Sequence, residues 1–261
     1  MKYGFLGCGN MGGAIARALS RSTKDIAVTD RSGKAEQLAR ELGLLYTDNA
    51  AIAANSKRIF LAVKPHMMQE LLLPLRDTLA EKKPLLITMA AGLEIARIEE
   101  LVGTQLPVIR IMPNTPTAVG EGMILYAVNS AVTDGDLAGF LAGMAKAGVA
   151  DRIPEKMIDG AGCVSGCGPA FVCLFAEALA DAGVECGVPR AKAQLYAAQT
   201  LLGTAKLLLE SGQHPGQLKD AVCSPGGTTI AGVHALERNG FRAAVMDAVA
   251  AAKEKTDKMK K

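Results

Sequence analysis

Histidine is scarce in this chain: three in 261 residues, His66, His214 and His234, each alone in its segment. A hydrolase triad or a histidine metal cluster has little to build from, and no metal is expected. The six cysteines, Cys8, Cys163, Cys167, Cys173, Cys186 and Cys223, form no paired CxxC spacing and sit among small apolar neighbours. That usage suits buried free thiols in a reducing compartment rather than a zinc site. No charge of one sign dominates, since 29 basic and 26 acidic residues leave a net charge of +3. Nucleic-acid binding, which draws most of its affinity from a strong basic surface, is not expected. The lysines from Lys253 to Lys261 are interleaved with Glu254 and Asp257 and read as a solvated helix face. Hydrophobic residues make up 49%, yet no run of 18 uninterrupted apolar residues suggests a membrane span. The start, Met1-Lys2-Tyr3-Gly4-Phe5-Leu6-Gly7, enters a glycine loop without the apolar stretch of a signal peptide. The expectation is a cytoplasmic protein with neither membrane nor nucleic-acid partner.

The length predicts two domains, and the two halves of the chain are patterned differently. Up to about residue 130, short apolar or β-branched runs alternate with helical periodicity. Strands are predicted at Tyr3–Leu6, Ile26–Thr29, Leu44–Tyr46, Arg58–Val63, Leu85–Met89, Val108–Met112 and Met123–Ala127. Helices are predicted at Met11–Arg21, Lys34–Leu42, Ala50–Ser56, Met67–Leu79, Leu93–Leu101 and near Asp136–Ala147. This β-α order predicts an α/β fold with a Rossmann-like, doubly wound and mostly parallel sheet over residues 1–153. After about Glu155 strand signals cease, and Pro189, Pro215, Gly212 and Asn239-Gly240 punctuate successive helices, so residues 154–261 are predicted to be all helical. The segment Met157–Val184 is apolar or small almost all round and needs burial on every face. One domain of about 100 residues is hard pressed to cover it, which predicts a homodimer, or a multiple of one, with interleaved helices.

Gly7-Cys8-Gly9-Asn10-Met11-Gly12-Gly13 follows the first predicted strand and opens a helix. A dinucleotide pyrophosphate needs a tight turn, backbone without Cβ where the phosphate approaches, and free N–H groups at a helix N-terminus. Gly7, Gly9 and Gly12 meet these needs in turn, and an acidic residue, Asp30, stands at the end of the second strand as a ribose partner should. Asp30 favours NAD by repelling a 2′-phosphate, whereas Arg31 and Ser32 offer that phosphate donors. NADPH is the expected cofactor, with NADH as an alternative. Three further stretches interrupt the pattern at strand ends: Ala62-Val63-Lys64-Pro65-His66, Ala90-Ala91-Gly92 and Met112-Pro113-Asn114-Thr115-Pro116. Each reads either as a plain turn or as part of a ligand cleft, where small residues at 90–92 would admit a flat nicotinamide ring.

In the helical half, Cys223-Ser224-Pro225-Gly226-Gly227-Thr228-Thr229 precedes a helical pattern running to Asn239-Gly240. Read as the first turn of a helix, the two glycines cost about 1 kcal/mol each, and exposed N–H groups with the hydroxyls of Ser224, Thr228 and Thr229 would form a receptor for a small carboxylate. The plainer reading is a Ser N-cap followed by Pro at the first helical position.

The stretch from Lys219 to Ile230 resembles the signature of the pyrroline-5-carboxylate reductases. Phe5–Met11, Ala62–Pro65, Met112–Pro116, Ser165–Ala170 and His214–Asp220 are similar to that family's other blocks, in the same order, so the resemblance covers essentially the whole chain. It implies a C-terminal helical dimerisation domain and reduction of 1-pyrroline-5-carboxylate to L-proline. It also implies cofactor contacts at Leu6, Gly7, Cys8, Gly9, Asn10, Met11, Asp30, Arg31, Ser32, Asn49, Ala62, Val63, Lys64, Pro65, Met89, Ala90 and Ala91. Substrate contacts are implied at Glu155, Ser224, Gly227, Thr228 and Thr229, with Thr229 as the catalytic candidate. Two departures stand out: Asp30 where NADP-preferring relatives often carry an uncharged residue, and Ala221 where some have Asn. Rival readings are another two-domain imine or β-hydroxyacid reductase and a non-catalytic dinucleotide sensor. The β-hydroxyacid enzymes use a helix-borne Lys, which Gly162 to Cys186 lacks, and a sensor needs a recognition element that the sequence does not display.

Overall fold

The computed structural model describes residues 1–259; Lys260 and Lys261, the end of the predicted basic helix face, lie outside the described residues. Runs buried throughout except at the half-buried Arg58 form the centre of the sheet: β1 (Tyr3–Leu6), β2 (Ile26–Thr29), β4 (Arg58–Leu61) and β5 (Leu85–Thr88), with the shorter, exposed β3 (Leu45–Tyr46) outside β2. With β6 (Val108–Met112), β7 (Gly122–Val128) and β8 (Gly148–Arg152) they make one eight-stranded sheet in the order β3-β2-β1-β4-β5-β6-β7-β8. The first six strands are parallel, β7 runs antiparallel to β6, and β8 is parallel to β7. Continuous apolar runs such as Ile59-Phe60-Leu61 are what a parallel sheet covered on both faces requires.

The helices packed with this sheet are α1 (Asn10–Ser20), α2 (Lys34–Leu42), α3 (Asn49–Asn55), α4 (Met68–Leu72), α5 (Arg76–Lys82), α6 (Ile95–Val102), α7 (Asp134–Met144) and α8 (Glu155–Ser165). One face of the sheet packs on α1, α2 and α7 around Phe5 and Phe60, whose rings stack at 4.4 Å. The other face packs on α3 to α6 and on α8 through Ile158.

The structure departs from the predicted elements in several places. β4 stops at Leu61 rather than Val63 and β5 at Thr88 rather than Met89, because the chain turns away from the ladder to form the strand-end loops. The single helix predicted over Met67–Leu79 is two helices, broken at Leu73–Leu75 by Pro74, which removes a backbone donor, and the second continues to Lys82. β8 was not foreseen, since Gly148-Val149-Ala150-Asp151-Arg152 lacks an apolar run and is defined by its partner β7. The helix expected across Met157–Val184 is interrupted at Gly166–Cys167.

That interruption coincides with the boundary of the two compact units, residues 1–167 with 252–259, and Gly168–Ala251. Residues 155–167, which include α8, group with the sheet because α8 packs on β6 and β7. The second unit contains α9 (Gly168–Glu185), α10 (Arg190–Ser211), α11 (Pro215–Ala221), α12 (Thr228–Arg238) and α13 (Phe241–Met259), whose last turns group with the first unit. Among its described residues the buried apolar side chains are Ala180, Ala193 and Ala197, where α9 meets α10. Leu174 is 68% exposed, Leu209 86% and Met246 71%, so a single chain leaves most of the apolar surface of this unit uncovered. Residues 155–185 are long and apolar enough to cross a membrane by length and composition, although interrupted by the break at Gly166–Cys167.

Candidate active site

The strand order changes direction between β1 and β4, with β2 and β3 on one side and β5 to β8 on the other. At such a switch point the loops after the two central strands diverge and leave a crevice at the carboxyl edge of the sheet. The turn after β1 and the loop Ala62–Pro65 after β4 meet there. Gly7 has φ +104°, and a Cβ on it would lie 2.6 Å from the Ala62 carbonyl oxygen; one on Gly12 would lie 2.6 Å from the Gly7 oxygen. Packing therefore demands glycine at both positions. Gly9 is different, because a Cβ there would meet nothing within 4 Å. It is the N-cap of α1, and no side chain caps the helix. Open space beside uncapped N–H groups is what close approach of a pyrophosphate needs, so the turn fits a dinucleotide.

Leu6 and Cys8 point into the core, whereas Asn10 is exposed and Met11 half-buried. Burial, and secondarily the Asp30 charge, pushes the Cys8 thiol up to about 12, so it stays protonated and packs as a small hydrophobe. Asp30 follows β2 beside this turn; its carboxylate accepts hydrogen bonds from the Ser32 hydroxyl (2.7 Å) and the Gly33 N–H (3.0 Å). Arg31 extends to Glu70 on α4, with Nη2–Oε1 2.7 Å and Nη1–Oε2 3.3 Å. The hydrogen bond and charge of each partner hold the Arg31 pKa above its ordinary value and that of Glu70 below. Lys34, the first residue of α2, lines a cleft of about 300 Å³ with Cys8 and Asn10. Asn49 opens α3 after β3, and Met89, Ala90 and Ala91 follow β5, whose end lies beside that of β4. Apart from Leu6, the last residue of β1, the predicted cofactor positions thus lie on loops and helix starts after β1 to β5.

The third strand-end loop is a structural clamp. Asn114 is buried, donates to the Ser165 carbonyl (2.9 Å) at the end of α8, and accepts from the Met123 N–H (2.9 Å) in β7. Glu155 also holds the fold together, since its Oε1 accepts from the Ile95 N–H (2.7 Å) at the start of α6 and from Arg110 Nη1 (3.4 Å). Arg110 is 1% exposed and donates through Nη2 to Asp159 at 2.5 Å, tying β6 to α8. This pair and Glu70 were missed in the sequence. The pair did leave a signal: Arg within Val108-Ile109-Arg110-Ile111-Met112, and Asp159 in a segment read as apolar or small almost all round, each required a partner once buried.

At the head of α12 the glycines precede the helix rather than occupying its first turn. The Gly227 N–H donates to the Ser224 carbonyl at 3.0 Å, closing a turn with Pro225 second and Gly226 third. Gly226 has φ +69°, which glycine adopts at no steric cost. Gly227, not Ser224, is the N-cap, and no side chain caps α12. Ser224, Thr228 and Thr229 are exposed, and among the described residues no hydrogen bond engages their hydroxyls. The turn thus presents three free hydroxyls beside uncapped N–H groups, a combination suited to a small anion.

Residues 155–259 match the family model described as pyrroline-5-carboxylate reductase dimerisation, which includes the long apolar stretch 155–185, and residues 2–92 match NADP oxidoreductase coenzyme F420-dependent. The chain is 42% identical over 266 aligned residues to the pyrroline-5-carboxylate reductase of Escherichia coli, covering 100% of this chain and 98% of that protein. The crystal structure of Plasmodium falciparum pyrroline carboxylate reductase with NADP bound superposes with a TM-score of 0.90 at 37% identity, covering all of both chains. The reductase from Coxiella burnetii also gives 0.90, at 33% identity, over 100% of this chain and 98% of that one. A nucleotide-ready glycine turn, a free hydroxyl-bearing turn at the head of α12 and end-to-end similarity agree: this chain belongs to the pyrroline-5-carboxylate reductase family.

Proposed function

We propose that the protein reduces 1-pyrroline-5-carboxylate to L-proline, with NADPH as preferred donor and NADH as a weaker alternative. Beyond the family membership, the observation that carries this reading is the Ser224–Thr229 turn, whose three hydroxyls and uncapped N–H groups have no structural duty within the chain. Bound NADPH supplies a hydride to the C=N carbon, a reaction that asks of the protein mainly alignment. The first-turn N–H groups of α1, made approachable by Gly9, take the pyrophosphate. Asp30, Arg31, Ser32 and Asn49 take the adenosine ribose and its phosphate, while Ala62–Pro65 and Met89–Ala91 line the path of the nicotinamide. The uncapped N–H groups at the head of α12 and the hydroxyls of Ser224 and Thr228 hold the substrate carboxylate, and the Thr229 hydroxyl hydrogen-bonds the ring nitrogen, donating or relaying a proton. Glu155, committed to Ile95 and Arg110, supports the site by orienting α6 and α8. The direct test is oxidation of NADPH and NADH followed spectrophotometrically with pyrroline-5-carboxylate, beside keto acids and linear imines. Turnover of a keto acid in preference to the cyclic imine would replace this reading.

Arg31→Ala is expected to raise the Michaelis constant for NADPH far more than that for NADH, because only the former carries the 2′-phosphate. Equal changes would remove Arg31 from the phosphate site.

The working form is a homodimer or a multiple of it. The exposed apolar residues of α9, α10 and α13, among them Leu174, Leu209 and Met246, support this reading. Light scattering across a dilution series is expected to show no folded, active monomer at low micromolar concentration. A cytoplasmic location accords with six free cysteines, which a reducing compartment preserves.

A further inference from the structure

We infer that Glu70 is a specificity residue of the cofactor site, acting through Arg31 to weaken the preference for NADPH over NADH. The inference rests on the NADPH reading above. α4 is anchored by Met68, Leu71 and Leu72, all buried, so Gln69 and Glu70 on the same short helix must face outward. The Glu70 carboxylate is thereby held at a defined position, while Arg31 sits on the loop between β2 and α2 and reaches to it with both terminal nitrogens. The side chains are 66% and 64% exposed, so the pair is solvated and weak enough for a ligand to displace.

The two donors that make the loop attractive to a 2′-phosphate are both engaged by carboxylates, Arg31 by Glu70 and Ser32 by Asp30. A phosphate arriving at Arg31 must displace Glu70 or share the guanidinium with it, and it meets a second negative charge there. NADH carries a hydroxyl at that position and suffers neither penalty. Glu70 thus discriminates against the phosphorylated cofactor alone, which narrows the advantage that Arg31 and Ser32 give NADPH over NADH.

The test is the dissociation constant of each nucleotide, measured by fluorescence titration on the full-length protein and on Glu70→Gln. NADPH is expected to bind roughly two- to fivefold tighter to the variant, the range that loss of one competing exposed ion pair supports, with NADH unchanged and with the gain fading as salt rises. In an Arg31→Ala background the same substitution is expected to give little gain. An unchanged or weaker NADPH affinity, an equal shift for both nucleotides, or a full gain without Arg31 would overturn the inference. If neither nucleotide binds the unaltered protein, the functional reading itself fails, an outcome distinct from any of these.

Discussion

Asp159→Ala is expected to destabilise the protein by about 3–5 kcal/mol, the cost of removing one partner from a buried ion pair. Arg110 is 1% exposed and Asp159 4%, their contact is 2.5 Å, and Arg110 Nε has no partner among the described residues. Removing the carboxylate strands a guanidinium that burial keeps from water, with Glu155 at 3.4 Å as the nearer remaining acceptor. The double variant Arg110→Met with Asp159→Leu removes both charges together and is expected to recover most of the loss, because the attraction between buried charges roughly offsets their desolvation. Urea unfolding at one fixed protein concentration is the measurement, since the stability of an oligomer varies with concentration. A single-variant cost below about 1 kcal/mol, the range of solvated pairs, would mean that water reaches Arg110 and that the pair does not tie β6 to α8.

Thr229→Val, which keeps the shape and removes the hydroxyl, is expected to lower turnover more than it weakens binding of the substrate carboxylate. α12 begins at Thr228 with Gly227 as N-cap, so the N–H groups that hold the anion survive the change. What disappears is the hydrogen bond to the ring nitrogen. A bond to a group changing charge is worth about 1.5–3 kcal/mol, or roughly ten- to a hundredfold in rate if it is made mainly in the transition state. Thr228→Val is expected to be milder, because successive side chains on a helix point about 100° apart and both cannot face one ring atom. Steady-state kinetics of both variants, with the imine varied at saturating NADPH, separates these effects. Unchanged turnover in a folded, oligomeric Thr229→Val would assign the proton to solvent and leave Thr229 as a helix-start residue.

The residues legible in advance were those whose chemistry is local. The glycine turn could be placed because strand, turn and helix start are neighbours in sequence, and Asp30, Arg31 and Ser32 followed from their spacing along the same unit. The Ser224–Thr229 turn was recognised by composition and by family resemblance, but its conformation was not. Both sequence readings put Pro-Gly-Gly inside the first turn of the helix, whereas φ at Gly226 and the Ser224–Gly227 hydrogen bond place it in a turn before the helix.

By itself, then, the sequence determined the alternation of strands and helices, the parallel core of the sheet, the helical second half and the nucleotide turn, because periodicity and backbone-specific residues act over a few positions. Tertiary structure alone decided which distant groups meet. β8 exists as a strand through its pairing with β7, the unit boundary lies at Cys167 because α8 packs on β6 and β7, and Glu70 faces Arg31 because burial of Met68, Leu71 and Leu72 turns it outward. The local signature names the need and not the partner: an Arg in a strand and an Asp in a mostly apolar helix each require a counter-charge once buried, and only the folded chain brings Arg110 to Asp159.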